Sequence, residues 1–427
     1  MQLEIAGIGT DEMMWGTVTR LLDHTLEISS DELRSLLGES EPFRLVDIGI
    51  VRAGEDVRVI NVLDSIAPLV AADANTVVYP GLAGKAAVQS GSGKIDWLEG
   101  VRVVTCGEFP DPPSGVLGTK PGLIDMSGSG VDYCDGARSA NVVISVAPNG
   151  SASNEEFDSG VRSFAHRVSQ TLAETVMGCV VDTNDSFELL QGVDGLPNVV
   201  YVLQLQDQGP LIRPLLYGHP IGEDFVPTLI HPNELLAGAV VSANYRSCMK
   251  MSSYQHVRNP VVLELYRRHR HDLNFAGVVI SRGHHANHFL KERSAQYVAK
   301  LAGLLNADCA VITMEGTGNG TLDFMLTVQA LEQTGVRTSG VMHELAGSLG
   351  TDPSLVDGVD SADSLVSVGN VNEEISVGRP RRVIGGDALQ LYNGVRVPAD
   401  AVGPISAMEC FGSFCAMGAS ALQGVEY

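Results

Sequence analysis

The last third of the chain alternates apolar runs with segments of helical spacing. The apolar runs have the length of strands and lie at residues 275–281, 308–314, 336–343 and 365–370. Two amphipathic segments, residues 288–306 and 321–335, separate the first three of these runs. Strands and helices that alternate at this length predict a parallel sheet with right-handed crossovers.

The first part of the chain has a different pattern. Short apolar runs separated by Gly, Pro, Asp and Ser clusters predict a β-rich region up to residue 139. A continuous apolar run at residues 140–148, a helical segment and a second apolar run at residues 197–206 predict a first α/β unit.

The pattern therefore predicts an α/β fold. Rossmann-like parallel-sheet units form its middle and C-terminal parts, and a β-rich domain forms its N-terminal part. The predicted domains are residues 1–139, residues 140–253 and residues 254–427. The middle domain combines the first α/β unit with a connector of weak periodicity.

Composition narrows the classes of function. The 427 residues carry a net charge of −23, which argues against a nucleic acid or an anionic membrane surface as the main partner. The N-terminus lacks a basic region followed by an apolar one, and no apolar run reaches the ~18 residues of a membrane span. Seven cysteines without a CxxC pair fit free thiols in a reducing compartment. We expect a cytoplasmic protein.

The turn Glu315–Gly320, with the sequence EGTGNG, follows a predicted strand and precedes a predicted helix. Ligands of open parallel sheets bind at the carboxyl ends of the strands, and glycines allow close approach of the backbone. We therefore place a binding site here, with an ordinary tight turn as the alternative. Its candidate substrate-binding residues are Gly316, Gly318, Asn319, Asp323, His343 and Glu344, and Glu315 is a candidate catalytic residue.

Histidines cluster in the segment SRGHHANHF. If a helix begins near His284, then His284 and His288 share one face, a spacing that can hold a transition metal together with His285. Solvated or capping histidines are the alternative. The segment thus gives a candidate divalent-metal site.

Cys248 lies in a polar segment between Asn244 and Lys250. Arg246 and Lys250 make the neighbourhood basic, which is expected to lower the thiol pKa. A chain can also break on the amino side of a cysteine and leave a pyruvoyl group, which captures amines as an electron sink. An inert cysteine is the alternative. The candidate catalytic residues are Cys248, Asn244, Ser247, Glu315 and His256.

Taken in order, several segments resemble one family. They are residues 121–130, 200–211, 226–244, 254–269, 291–308 and 315–325, together with the pair Gly369 and Asn370. Over nearly its whole length the chain resembles the precursor subunit of component B of the glycine, sarcosine and betaine reductases. More distantly, it resembles the D-proline reductase proprotein.

The resemblance implies reductive C–N cleavage of a small amine or amino-acid derivative. It implies a pyruvoyl group, here from Cys248, and a component B-like second subunit that is a selenoprotein or its Cys version. In this sequence Tyr245 directly follows the turn Val241–Asn244, after which the family places its processed cysteine.

Three hypotheses stay open. The first is a cleaved pyruvoyl subunit. The second is an uncleaved homologue with a metal or acid/base site built from the histidines and Glu315. The third is a non-catalytic scaffold.

Overall fold

A computed structural model of the chain describes residues 1–39, 41–82, 89–111, 121–209, 211–418 and 425–426. Of the segments that carry the resemblance, only Pro210 lies outside these residues.

A seven-stranded sheet occupies the middle and C-terminal parts of the chain. Its strands lie in the order Thr228–Ile230, Asn274–Gly283, Asn198–Gln206, Cys309–Met314, Arg337–Glu344, Leu365–Asn370 and Val425–Glu426. The inner five strands are parallel, and the two outermost strands are antiparallel to their neighbours. Asn198–Gln206 comes first of the five parallel strands along the chain. In the sheet it lies between the second, Asn274–Gly283, and the third, Cys309–Met314.

Strand Asn198–Gln206 is buried on both faces, as its continuous apolar sequence predicts. On one face Val200 and Val202 pack in a core with the helices His288–Leu304 and Asn319–Gln333. On the other face Tyr201 and Leu203 join a core shared with the N-terminal part of the chain. The α/β class is thus confirmed, as are the strands and helices predicted in the last third.

Two further sheets contain most of the strand residues of the N-terminal part. One has four strands, in the order Thr183–Glu188, Gln2–Gly9, Gly93–Glu99 and Leu69–Ala71. The other has the order Gly122–Asp125, Val57–Ile66, Val101–Cys106, Ala140–Pro148 and Phe43–Val51, and Arg382–Ile384 also pairs with Val57–Ile66. Helix Asn154–Glu174 begins at the N-cap Ser153, whose side chain forms a capping box with Glu156.

The interpretation of residues 140–206 as one strand–helix–strand unit is wrong. Strand Ala140–Pro148 is hydrogen-bonded on one edge to Val101–Cys106 and on the other to Phe43–Val51. Because both of its edges are occupied, it cannot pair with Asn198–Gln206, which lies in the seven-stranded sheet, called the central sheet below. The boundary placed at residue 139 therefore falls within a sheet, and the division into three domains stays a prediction.

Short elements complete the described structure. The small sheets contain Glu12–Gly16, Arg20–Leu22, Thr25–Ser29, Leu215–Leu216, His219–Pro220, Val240–Val241, Glu374–Val377, Ala388–Gln390, Arg396–Pro398 and Gly403–Ser406. The short helices are Ser30–Ser35, Pro232–Leu236, Ser253–Val257 and Pro260–Arg268, with 3-10 turns at Gly128–Asp132, Ser247–Met249 and Ala407–Glu409. Among the described residues, no helix has both the length and the apolar character that crossing a bilayer requires.

Candidate functional site at the carboxyl edge of the central sheet

Glu315 joins the glycine-rich turn to the segment around Cys248. It directly follows strand Cys309–Met314 and is 1% exposed. Its Oε1 accepts a hydrogen bond from the backbone N–H of Met251 at 3.1 Å, and its Oε2 accepts one from the N–H of Gln206 at 3.2 Å. Two features that the sequence placed separately, the EGTGNG turn and the Cys248 segment, therefore meet at the carboxyl edge of the sheet.

Asn244 and Gln206 extend this contact. The fully buried Asn244 donates from Nδ2 to Gln206 Oε1 at 3.3 Å, and its Oδ1 accepts from the N–H of Arg246 at 2.9 Å. Gly316 has a φ of +86°, and a Cβ there would lie 2.3 Å from Gln206 Oε1. Only glycine therefore fits the predicted position Gly316, because a side chain would displace Gln206.

Burial sets the protonation of the groups around Glu315. Loss of hydration raises the pKa of Glu315 to about 7, against the hydrogen bonds it accepts and the charge of Lys250. Lys250 is 1% exposed, and its Nζ lies 2.6 Å from the carbonyl oxygen of Leu63 and 3.4 Å from Asp64 Oδ1. Burial lowers the pKa of Lys250. A carboxyl group that titrates near neutrality beside a buried amine is suited to acid/base work.

His256 lies close enough to Lys250 for the charge of Lys250 to affect its pKa. Burial, with a smaller contribution from the charge of Lys250, lowers the pKa of His256 to about 3. Neither ring nitrogen has a hydrogen-bond partner among the described residues. His256 is thus a neutral imidazole near Lys250.

Sequence reasoning missed Gln206 and Asp64 and treated Lys250 only as a neighbour of Cys248. The position of Gln206 at a strand end was the available signal.

The predicted activation of the Cys248 thiol is wrong in direction. Cys248 is fully buried in the 3-10 turn Ser247–Met249. Burial, with a smaller contribution from the charge of Glu409, raises its pKa to about 12. The opposing effect of Arg246 is smaller, because loss of hydration dominates in an apolar surrounding.

A second cluster forms around Asp323. Its carboxylate accepts from the N–H of His284 at 3.0 Å, pairs with His285 Nδ1 at 2.6 Å and pairs with the ammonium of Lys291. Asn319 donates from Nδ2 to the carbonyl of His285 at 3.1 Å. Predicted residues from both segments therefore meet here, and they tie the end of strand Asn274–Gly283 to the start of helix Asn319–Gln333.

The spacing argument for a metal site is wrong. The helix begins at His288 with Asn287 as its N-cap, so His284, whose φ is +71°, precedes the helix. His288 turns outward, with 62% of its side chain exposed, and pairs with Glu292 at 3.3 Å. The described residues contain no group of three or more His, Cys, Asp or Glu placed to hold a metal ion.

His343 and Glu344 end the neighbouring strand Arg337–Glu344. Thr313 pairs with Val341, the last pair between the two parallel strands, and Glu315 and His343 each lie two residues beyond that pair. Burial lowers the pKa of His343 to about 4. Glu344 continues this edge and pairs in register with Asn370 on the next strand.

Gly318 precedes helix Asn319–Gln333. Its φ is +62°, and a Cβ at this position would meet nothing within 4 Å. The backbone conformation, and not lack of space, is therefore what favours glycine at this position.

Comparison with known proteins now identifies the family. The sequence model of the glycine/sarcosine/betaine reductase component B subunits matches residues 1–396. The chain belongs to this family. Residues 397–427 lie beyond the match.

Individual relatives cover most of the chain. It is 34% identical over 394 residues to the glycine reductase complex component B subunits alpha and beta of Acetoanaerobium sticklandii, covering 90% of this chain and 89% of the relative. It is 30% identical to the sarcosine reductase complex component B subunit alpha of Peptoclostridium acidaminophilum, covering 87% and 86%. It is 30% identical to the betaine reductase counterpart from the same organism, covering 88% and 86%. No solved structure matches this family member significantly.

Proposed function

We propose that this chain is a subunit of a reductase complex that cleaves a C–N bond of a small amine or amino-acid derivative, through a pyruvoyl group formed from Cys248. The contact of Glu315 with the N–H of Met251 carries the proposal, because it holds the Cys248 segment against the ligand edge of the sheet. The family to which the chain belongs supports a role in such a complex.

The strand order supports a ligand site at this edge. In a doubly wound, Rossmann-like sheet, ligands bind at the carboxyl ends where the connections leave in opposite directions. Here that point lies between the strands Asn198–Gln206 and Cys309–Met314. The first of these strands ends at Gln206, and Glu315 directly follows the second. Asn244, Gln206 and Glu315 would therefore face the substrate.

The residues around Cys248 fit the formation of a pyruvoyl group. The carbonyl of Ser247, which the thiol must attack, accepts hydrogen bonds from two backbone N–H groups, Gly412 at 2.8 Å and Lys250 at 3.4 Å. Such donors stabilise the negative charge of a tetrahedral intermediate. When formed, the pyruvoyl group supplies a carbonyl that captures the substrate amine.

The chain's own groups would then handle protons. Glu315, with a pKa of about 7, can give or take a proton near neutral pH beside Asn244. When it carries its proton, Lys250 favours the ionised form of Glu315. The second cluster, Asp323 with His285 and Lys291, would hold the loop that carries Asn319 in place.

The mass of the purified chain tests the proposal. We expect two fragments that separate between Ser247 and Cys248, the second of them blocked at its N-terminus by the pyruvoyl group. Cys248→Ala should remain one intact chain. Cys179→Ala, at an exposed cysteine, is the matched control and should be cleaved like the wild type. One intact wild-type chain in a fully active complex would refute the proposal.

An uncleaved homologue is the second candidate. Two observations favour it: Tyr245, not a cysteine, directly follows Asn244, and the Cys248 thiol is deeply buried with a raised pKa. In that case Glu315, Lys250 and His256 would perform acid/base chemistry in an intact chain. Activity of an intact chain that persists after chelation would support this candidate and exclude its metal form.

The proposed complex contains a component B-like second subunit, either a selenoprotein or its Cys version. The proposed location is the cytoplasm. Copurification of the tagged chain with a second subunit from its host tests the partner.

A further inference from the structure

We propose that the C-terminal segment 407–417 is a positioning clamp that aligns the Ser247–Cys248 bond for self-cleavage. This inference rests on the proposed function, because it concerns how the pyruvoyl group would form. The segment lies beyond the part of the chain that matches the family, so the family assignment does not imply this role.

The clamp holds the carbonyl of the bond to be cleaved, which is that of Ser247, and also the carbonyl of the next residue, Cys248. The N–H of Gly412 donates to the carbonyl oxygen of Ser247 at 2.8 Å, and the N–H of Phe414 donates to the carbonyl oxygen of Cys248 at 2.8 Å. All four residues are buried. The Gly412 donor and the Lys250 N–H, which lies 3.4 Å from the same Ser247 oxygen, form a ready oxyanion hole at the attacked carbonyl.

The clamp is itself anchored to the strand Gly122–Asp125. The N–H of Phe411 donates to the carbonyl of Leu123 at 2.9 Å, and Cys410 forms a parallel bridge with Leu123. The carbonyl of Phe411 accepts from the N–H of Asp135 at 2.7 Å. Strand Gly122–Asp125 therefore holds the segment that contains Gly412 in place, and the N–H of Gly412 in turn holds the Ser247 carbonyl.

Two glycines make this close packing possible. Gly412 has a φ of +71°, and a Cβ there would lie 2.7 Å from the Cβ of Asp135. A Cβ on Gly122 would lie 2.5 Å from Ser247 Oγ. A methyl group at either position must move the clamp or the bond, since real Cβ contacts below 3.0 Å essentially do not occur.

The clamp would act on the first step of cleavage. Cys248 Sγ adds to the Ser247 carbonyl carbon, the C–N bond breaks, and the thiol proton passes to the released nitrogen, which leaves a thioester. Loss of the Cα proton of residue 248 then breaks its Cβ–Sγ bond and leaves a thiocarboxylate on Ser247 and an enamine at residue 248. Water replaces the nitrogen, ammonia leaves, and the pyruvoyl group remains. The oxygen held by Gly412 carries the negative charge in the addition step.

The rate of cleavage in Gly412→Ala tests the clamp. The full chain is made by pulse-labelled cell-free translation, and its conversion to fragments is followed by denaturing electrophoresis and mass. We expect cleavage to be about 10²-fold slower in Gly412→Ala than in the wild type, because one oxyanion donor is displaced. Hydroxylamine, which cuts thioesters, should release less of the 1–247 fragment from this variant.

The matched control is Gly418→Ala. Gly418 has a φ of +72°, so alanine suffers the same backbone strain, but its Cβ would meet nothing within 4 Å. We expect it to be cleaved like the wild type. Circular dichroism checks that each variant is folded. If Gly412→Ala is not folded, Gly122→Ala takes its place, because its Cβ would push on the side chain of Ser247 and on the Glu409 carbonyl and so displace the bond within the clamp.

The outcomes separate the two proposals. A wild-type chain that stays intact overturns the proposed function and the clamp with it. A cleaved wild type together with equally fast cleavage of a folded Gly412→Ala, or of a folded Gly122→Ala in its place, overturns the clamp alone.

Discussion

Glu315→Gln should change how stability depends on pH. In the folded chain both carboxylate oxygens accept backbone N–H groups, from Met251 and from Gln206, in a fully buried position. Glutamine has the same shape but only one acceptor atom. Its NH₂ group must face one of the two N–H donors, which loses its partner.

The size of the effect follows from the pKa. Burial raises the pKa of Glu315 from 4.5 to about 7, so between these values the folded chain holds a proton that the unfolded chain releases. The resulting stabilisation is complete below pH 4.5 and is lost as the pH rises to 7. It amounts to about 3 kcal/mol in the free energy of unfolding. A buried donor left without an acceptor costs about 1–3 kcal/mol at every pH.

The two terms predict a change in the order of stability. At pH 5 Glu315→Gln should be less stable than the wild type by about 1–3 kcal/mol. At pH 8 the wild type has lost its proton, so the difference should vanish or reverse. Urea unfolding at pH 5, 6, 7 and 8, followed by fluorescence and circular dichroism, measures this. Glu292→Gln, an exposed carboxylate on helix His288–Leu304, is the control and should parallel the wild type.

Parallel stability profiles of Glu315→Gln and the wild type would refute the reasoning. They would mean that Glu315 is not a buried carboxyl with a raised pKa, and its role as a proton carrier near neutrality would fall with it.

The remaining predictions concern two buried titratable groups, His343 and Asp323, and one exposed ion pair. Burial lowers the pKa of His343 from 6.5 to about 4, so the wild type should lose about 3 kcal/mol as the pH falls through this range, and His343→Leu should lack this loss in acid unfolding titrations. Asp323→Asn leaves His285 and Lys291 buried without their carboxylate, so its free energy of unfolding should fall by about 3–5 kcal/mol. His288→Ala removes only an exposed pair and should stay within about 0.5 kcal/mol of the wild type. A destabilised His288→Ala beside an unaffected Asp323→Asn would contradict the structure.

Sequence reasoning found the parts of the fold that local pattern controls. The strands and helices from residue 274 to residue 344 follow from alternation of apolar runs and helical spacing, since each element needs only its own residues to be recognised. The same pattern located the turn Glu315–Gly320 at a strand end. Which strands pair with one another could not be predicted in this way, because a local pattern carries no information about the partner of a strand. Ala140–Pro148, for example, pairs with Val101–Cys106 and Phe43–Val51.

The sequence by itself thus determined which segments carry chemistry, and the tertiary structure decided what those segments can do. Local charges around Cys248 suggested a lowered thiol pKa, but the apolar core that surrounds it raises the pKa, and burial is set by residues far along the chain. The contact between Glu315 and Met251 and the hold of Gly412 on Ser247 join segments that only folding brings together. Hydrogen bonds and hydration depend on distance in space, and for these residues the fold alone sets that distance.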